Sequence, residues 1–157
     1  MQLLSLSFTA GGPIPVRYTC EGENVSPEFA WKEAPSETRS FAFIGHDPDA
    51  PRPGGFTHWV LYNIPADKAH LEPVVPNVEV VPGTGAQGTN DIGEIGYTGP
   101  CPPSGMHHYY FRLFALDKEL NLRPGATHDE LTDAMEGHIL ARAELVGTYR
   151  KKADKAA

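Results

Sequence analysis

The stretch GYTGPCPPSGMHHYYFRLFALD, residues 96–117, joins a loop rich in proline and glycine to a strongly patterned strand. Aromatic and aliphatic residues dominate residues 107–116, which predicts a buried strand. Because successive side chains of a strand point to opposite faces, His107 and Tyr109 should share one face while His108 points to the other. A loop of this composition can present side chains at one end of a sheet.

Two further strands are predicted upstream. Residues 40–47 (SFAFIGHD) form a short apolar run that ends at a proline, and residues 57–64 (THWVLYNI) are rich in β-branched and aromatic residues. Residues 47–55 (DPDAPRPGG) hold three prolines and two glycines, which excludes a helix or a central strand. Alternation in the second strand places His58 on the face that carries Val60.

The remaining elements are less strongly patterned. Thr127 followed by Glu130 fits a capping box and predicts a helix. Within residues 76–91, PNVEVVPG is interpreted as an edge strand and GTGAQGTND as a loop. The run HILARAELVGTY, residues 138–149, alternates like a strand but is rich in good helix formers. We interpret it as helix up to Ala143, followed by a short strand.

Length and composition favour one β-rich domain spanning residues 1–157. A chain of 157 residues is long enough to bury a core without a metal or a disulfide framework. Its 16 glycines and 15 prolines interrupt regular structure often, which favours a mainly β architecture over a helix bundle.

The charge balance and the hydropathy pattern exclude several classes of protein. A net charge of −7 repels polyanions, so we expect no nucleic-acid binding. No apolar run approaches the roughly 18 residues of a membrane span, and the first residues lack a basic segment. We therefore expect a cytoplasmic protein. Cys20 and Cys101 form no CxxC pair. The reducing cytoplasm favours free thiols at both cysteines, but a single long-range disulfide between them remains an alternative.

Polar side chains collect around the two loops. Asp47 and Asp49 precede His58, and the second loop leads into His107 and Tyr109. Imidazole N–H and tyrosine O–H groups can donate hydrogen bonds to a phosphate or carboxylate, so the sequence predicts an anion site. The carboxylates could orient the histidine rings or receive an ammonium group. Alone, each aspartate is an ordinary turn residue and His58 an ordinary buried polar group.

Common catalytic signatures are missing from the sequence. It contains no GxSxG, Walker or HExxH motif, so we expect neither a cofactor nor a recognised catalytic centre. His107 and His108 should face opposite ways, which argues against a bidentate metal site between them.

Residues 47–51 (DPDAP), 58–65 (HWVLYNIP) and the stretch 96–117 together resemble the phosphatidylethanolamine-binding protein family, especially its bacterial and archaeal Raf-kinase-inhibitor-like branch. Residues 14–31 and 137–151 extend the resemblance over nearly the whole chain. The resemblance implies a β-sandwich with one large sheet, a few short helices and an anion pocket at one end of that sheet.

The family's pocket residues correspond to seven positions of this chain: Asp47, Asp49, His58, Cys101, Pro102, His107 and Tyr109. The chain departs from the family pattern at two places. His108 stands where the family usually has arginine, and Cys101 stands where the animal proteins have glycine. We expect the first change to alter packing or a salt bridge, because that side chain points away from the pocket.

Three hypotheses of function follow. The first is a regulatory, non-catalytic protein that binds a small anion, such as a phosphate or a phospholipid headgroup, in a preformed pocket. The second is an interaction module that inhibits a kinase or a serine protease, as some relatives do. The third is a weak hydrolase in which His58 or His107 is the general base and Asp49 orients it. A homodimer is compatible with a domain of this size, but no residue identifies its interface.

Overall fold

The computed structural model describes residues 1–152 and contains two antiparallel sheets. In the small sheet the strand order is β1-β2-β5, and in the large sheet it is β6-β7-β4-β3-β8-β9. This confirms the mainly β class. The strands are β1 (Gln2–Ser5), β2 (Phe29–Lys32), β3 (Ser40–Asp47), β4 (Phe56–Pro65), β5 (His70–Leu71), β6 (Val80–Val81), β7 (Gly85–Gln87), β8 (His107–Leu116) and β9 (Ile139–Tyr149); the helices are a 3-10 turn (Val16–Tyr18) and α1 (His128–Met135).

One hydrophobic cluster fills the space between the two sheets. Phe29 of β2 contacts Phe43 of β3 and Phe111 of β8, with ring centroids 4.9 Å apart in both pairs. Trp59 of β4 packs against Phe43 at 5.4 Å. The tilted and edge-on geometries are those that aromatic pairs prefer, and burial of such rings is a major source of stability.

A second cluster covers the other face of the large sheet. Val60 and Tyr62 of β4 pack there with Leu131 and Met135 of α1. The predicted capping box begins this helix: the Thr127 side chain accepts a hydrogen bond from the Glu130 N–H, and the Glu130 carboxylate accepts one from the Thr127 N–H. With both faces covered, the central strands β3 and β4 are almost wholly buried.

A bulge in β4 overturns the predicted orientation of His58. Gly45 pairs with Trp59, but the next residue, His46, pairs with Thr57, so His58 is the extra residue of β4. A bulge turns the local strand and breaks the alternation of its side chains. His58 consequently lies against Tyr109, on the face of Trp59 rather than that of Val60.

Two secondary-structure predictions need correction. Residues 139–149 form a single strand instead of helix followed by strand, because they pair with β8 along nearly its whole length and pack Ala141 and Ala143 against the inter-sheet cluster. Tertiary pairing here overrides local helix propensity. The edge strand within 76–83 is confirmed as β6, but part of the predicted loop after it forms β7. Among residues 1–152, no helix has the length and apolar character needed to cross a membrane.

Gln87 of β7 connects this stretch to the core. It is fully buried. Its Oε1 accepts a hydrogen bond from Trp59 Nε1 at 2.7 Å, and its Nε2 donates to the carbonyl oxygens of Pro76 and Val78 at 2.7 and 2.9 Å. One side chain therefore fastens the segment before β6 to the core.

Gln87→Ala should lower the free energy of unfolding by about 2 kcal/mol, because it leaves the buried Trp59 N–H without an acceptor. Urea denaturation followed by tryptophan fluorescence would measure the change. Gln2→Ala, at an exposed position, is the matched control and should stay within about 0.5 kcal/mol of the parent protein. Equal stability of the two variants would contradict this role of Gln87.

Candidate functional site

A cavity of about 320 Å³ opens where the β3–β4 loop meets the loop that leads into β8. Its polar lining comes from the end of β3, the bulge of β4 and the start of β8. Of the seven predicted residues, six line the cavity and Asp49 does not; the six are Asp47, His58, Cys101, Pro102, His107 and Tyr109.

Asp47 fixes the orientation of His107. Its Oδ2 accepts a hydrogen bond from His107 Nδ1 at 2.6 Å, and both side chains are buried. The other oxygen, Oδ1, accepts from the backbone N–H of Asp49 at 2.8 Å. Asp47 is thus a turn residue and a ring-orienting carboxylate at once, and the Nε2 atom of His107 is left for a ligand.

His58 is held from the opposite side of the cavity. Its Nδ1 donates to the carbonyl oxygen of Thr98 at 2.8 Å, and its ring lies between those of Phe56 and Tyr109, at 4.7 and 5.3 Å. Burial is the main cause that lowers the pKa of this imidazole to about 4, against the opposing effect of the Thr98 hydrogen bond. His58 is therefore neutral at neutral pH.

The Tyr109 hydroxyl is a buried polar atom that has no hydrogen-bond partner within residues 1–152. Burial raises the pKa of this phenol, and the charge of Asp47 raises it further, so the group keeps its proton. Most buried hydroxyls in proteins are hydrogen-bonded, and an exception needs an explanation. A ligand oxygen in the cavity would supply the missing acceptor.

Asp49 contacts His108 and does not line the cavity, where the resemblance had placed it. Its Oδ2 accepts from both the backbone N–H and the Nδ1 of His108, at 2.8 and 2.7 Å, on a part-exposed surface. These hydrogen bonds lower the pKa of the Asp49 carboxyl. The turn after Asp47 carries Asp49 over the outer side of β8, where His108 points. The sequence analysis expected His108, which replaces the family's arginine, to alter packing or a salt bridge. The structure shows that His108 contacts Asp49.

Cys101 reaches the cavity as half of a disulfide. It is bonded to Cys20, with 5.4 Å between the Cα atoms, although the sequence analysis favoured free thiols. The two segments also meet through the Cys20 N–H, which donates to the carbonyl oxygen of Pro100 at 3.1 Å. Tyr97 donates to the carbonyl oxygen of Tyr18 at 2.6 Å. The cavity loop is therefore tied to the chain around Tyr18.

Gly99 shows how closely these segments approach. A Cβ atom placed on this residue would lie 2.1 Å from the carbonyl oxygen of Tyr18, a distance that no side chain tolerates. The glycine is needed for close approach of two backbones.

Several lining residues were not singled out from the sequence. Arg52 lines the cavity with its guanidinium over the Phe56 ring at 5.5 Å. It is the one cation of the DPDAPRPGG loop, a signal that the sequence did offer. Thr98 contributes its backbone carbonyl oxygen, which every residue type has, so the sequence does not mark this position. Ile92 joins the rim from a distant loop that no motif marked.

The site therefore offers a defined set of polar groups to a ligand. Tyr109 supplies a hydroxyl donor, His107 an oriented ring nitrogen, and Arg52 a positive charge at the edge. His58 supplies a neutral ring whose Nδ1 is already occupied. Such a set suits one compact acidic group rather than an extended polar chain.

His58 should make the protein less stable as the pH falls. Its folded-state pKa of about 4 lies below the ordinary value of 6.5, so between these values the unfolded chain binds a proton that the folded protein does not. Stability from this residue is present above pH 6.5 and decreases as the pH falls, by about 2 kcal/mol between pH 7 and pH 5.

The variant His58→Asn should show a correspondingly smaller loss of stability over that pH interval. Asparagine can keep the donor to Thr98 but does not titrate. Urea denaturation of both proteins at pH 7 and pH 5 makes the comparison, and the same decrease in both would mean that His58 titrates normally.

The chain is similar to known proteins over nearly its whole length. A family model for phosphatidylethanolamine-binding protein matches residues 4–150. A UPF0098 protein of Methanothermobacter thermautotrophicus is 51% identical over 151 residues, which cover 96% of this chain and 99% of that relative.

Two solved structures are similar over nearly their whole length. A phosphatidylethanolamine-binding protein homolog from Chlamydia trachomatis superposes with a TM-score of 0.87 at 42% identity, covering 96% of this chain and 97% of that one. YbcL of E. coli, described as a member of the mammalian PEBP family, superposes with a TM-score of 0.89 at 33% identity, covering 96% and 98%. The chain belongs to the phosphatidylethanolamine-binding protein family.

Proposed function

We propose that this protein binds one small acidic group in the cavity between the β3–β4 loop and the start of β8, without chemical turnover. The observation that carries the proposal is the buried hydroxyl of Tyr109, which finds no hydrogen-bond partner in the described part of the chain and lies beside the oriented imidazoles of His58 and His107. Buried hydroxyls are normally hydrogen-bonded, and a ligand oxygen in the cavity would accept the hydrogen of Tyr109.

The shape of the site limits the ligand to something small. A volume of about 320 Å³ lies at the lower end of the range for small-molecule pockets. The lining combines the polar groups described above with apolar surface from Phe56, Ile92 and Pro103. A phosphate-sized group with a short substituent, such as a lipid headgroup, fits this description.

Hydrogen bonds to both carboxylate oxygens of Asp47 weaken its repulsion of such a ligand. One of its oxygens accepts from His107 and the other from the Asp49 N–H, so its charge is engaged within the protein. The same contacts weaken the idea that Asp47 receives the ammonium of a zwitterion. The acidic end of the ligand is therefore the part that the site recognises.

The pocket is held in shape before a ligand arrives. Pro51, Pro102 and Pro103 stiffen its loops, and the Cys20–Cys101 disulfide ties one of them to a distant segment. Loops restrained in this way lose little conformational entropy on binding. This favours a preformed binding site over a flexible lid.

The Asp47–His107 pair also has the form of a general base with its orienting carboxylate, which favours a weak hydrolase as a second candidate. In that case Asp47 takes the orienting role that the sequence analysis gave to Asp49. Release of inorganic phosphate from phosphoethanolamine, abolished by His107→Ala, would move the hydrolase to first place.

Tyr109→Phe should weaken binding of phosphoethanolamine about tenfold without loss of stability, because it removes one donor to the ligand and no hydrogen bond of the protein. Isothermal titration calorimetry measures the affinity and thermal denaturation the stability. Tyr110→Phe is the matched control, since Tyr110 is the next residue of β8 and faces away from the cavity.

If Tyr109→Phe binds phosphoethanolamine as tightly as the parent protein, the Tyr109 hydroxyl does not contact the ligand. If neither phosphate nor phosphoethanolamine binds at millimolar concentration, the proposal fails. A tight complex with a kinase or protease that survives His107→Ala would then favour the interaction module.

A further inference from the structure

We propose that the cavity takes its acidic ligand together with one proton, shared between a ligand oxygen and Nε2 of His58. The site thereby selects groups with a P–OH, such as hydrogen phosphate and phosphate monoesters, over fully ionised sulfate and carboxylate. This rests on the proposed function, the binding of an acidic group in the cavity.

The first step is the position of the proton on the free imidazole. The carbonyl oxygen of Thr98 can only accept, so Nδ1 of His58 carries the hydrogen in their 2.8 Å contact. A neutral ring with a hydrogen on Nδ1 has a bare lone pair on Nε2. Because His58 lines the cavity and Nδ1 is occupied, Nε2 is the atom available to a ligand.

The second step is that the surroundings keep the ring neutral. His58 is only 7% exposed and lies between two aromatic rings. Its low pKa is caused first by this burial.

The charged and titratable groups around His58 come from several elements. Asp47 of β3 and Asp91 after β7 favour a proton on the ring, and His46 of β3 opposes it. Tyr109 of β8 meets the ring edge-on and stays neutral. His107 of β8 and Arg52 of the β3–β4 loop line the same cavity. Among residues 1–152, the hydrogen bond found on the His58 ring is the one to Thr98.

The third step is what a bare nitrogen does to a ligand. An ionised oxygen and the Nε2 lone pair repel each other, whereas a P–OH donates a hydrogen bond to it. Tyr109 can donate to a second ligand oxygen. His107 gives its Nδ1 hydrogen to Asp47, so it donates from Nε2 only in the doubly protonated form. At neutral pH inorganic phosphate keeps at least one proton, while sulfate of the same tetrahedral shape keeps none. Phosphate therefore offers a hydrogen to Nε2 of His58, and sulfate does not.

A phosphate monoester reaches the same state by taking up a proton. Its second pKa is about 6, so at pH 7.5 it is mostly a dianion in solution. Bound in the cavity, it should acquire close to one proton, which then lies between the ester and His58. Protonation of His107 beside a bound anion would also take up a proton, so the uptake is assigned to His58 by its loss in His58→Asn.

The experiment is calorimetry of the whole chain at pH 7.5 and constant ionic strength, with inorganic phosphate, sulfate and phosphoethanolamine. Phosphate should bind at least about tenfold more tightly than sulfate. Heats of phosphoethanolamine binding, measured in two buffers of different ionisation enthalpy, should show uptake of nearly one proton per site. In His58→Asn, which keeps a donor for Thr98 but lacks the Nε2 acceptor, the preference for phosphate should disappear.

The comparison of phosphate with sulfate and the proton measurement both use the parent protein, so together they can overturn the inference even where the variant folds poorly. Equal affinity for phosphate and sulfate, or binding of phosphoethanolamine without proton uptake, would overturn the inference and leave the proposed function in place. Failure of all three ligands to bind would overturn both.

Discussion

The pairing of β3 with β8 is the constraint on which the site depends. These neighbouring strands run antiparallel from Ser40 opposite Leu116 to His46 opposite Tyr110. The end of β3 and the start of β8 therefore arrive together at one end of the large sheet. Asp47 and His107 meet there at 2.6 Å although they are 60 residues apart in sequence. The aromatic cluster between the sheets fixes this register, because a slip of one residue would turn Phe43 and Phe111 away from the core.

A buried carboxylate in an anion pocket looks contradictory until its contacts are counted. Asp47 has both oxygens engaged and orients His107, and its charge adds to burial in raising the pKa of Tyr109. His58 has a different role. Burial keeps its ring neutral, and because Nδ1 donates to Thr98, Nε2 remains as an acceptor. The site thus combines the Tyr109 donor with an acceptor at Nε2 of His58, an arrangement that matches a hydrogen-bearing acid better than a bare anion.

Many elements of the fold and several residues of the site could be predicted from sequence because they depend on local sequence patterns. Strands β3, β4 and β8 follow from apolar periodicity, the capped helix from Thr127 and Glu130, and six lining residues from their motifs. The failures depend on partners that are distant in sequence. The face of His58 is set by a bulge against β3, the strand character of 139–149 by pairing with β8, and the disulfide by the meeting of Cys20 with a distant loop. Asp49 lies outside the cavity lining because the turn after Asp47 directs it to His108, and the family motif gives its position but not the direction of that turn.

The most direct test of the account is a high-resolution crystal structure of the protein soaked in phosphate. The account predicts a phosphate with oxygens about 3 Å from Tyr109 Oη and from Nε2 of both His58 and His107. The Asp47–His107 and His58–Thr98 hydrogen bonds should be unchanged. An unoccupied cavity at saturating phosphate, or a phosphate bound elsewhere with Tyr109 still unpaired, would contradict the claim that these residues form a preformed acid-binding site.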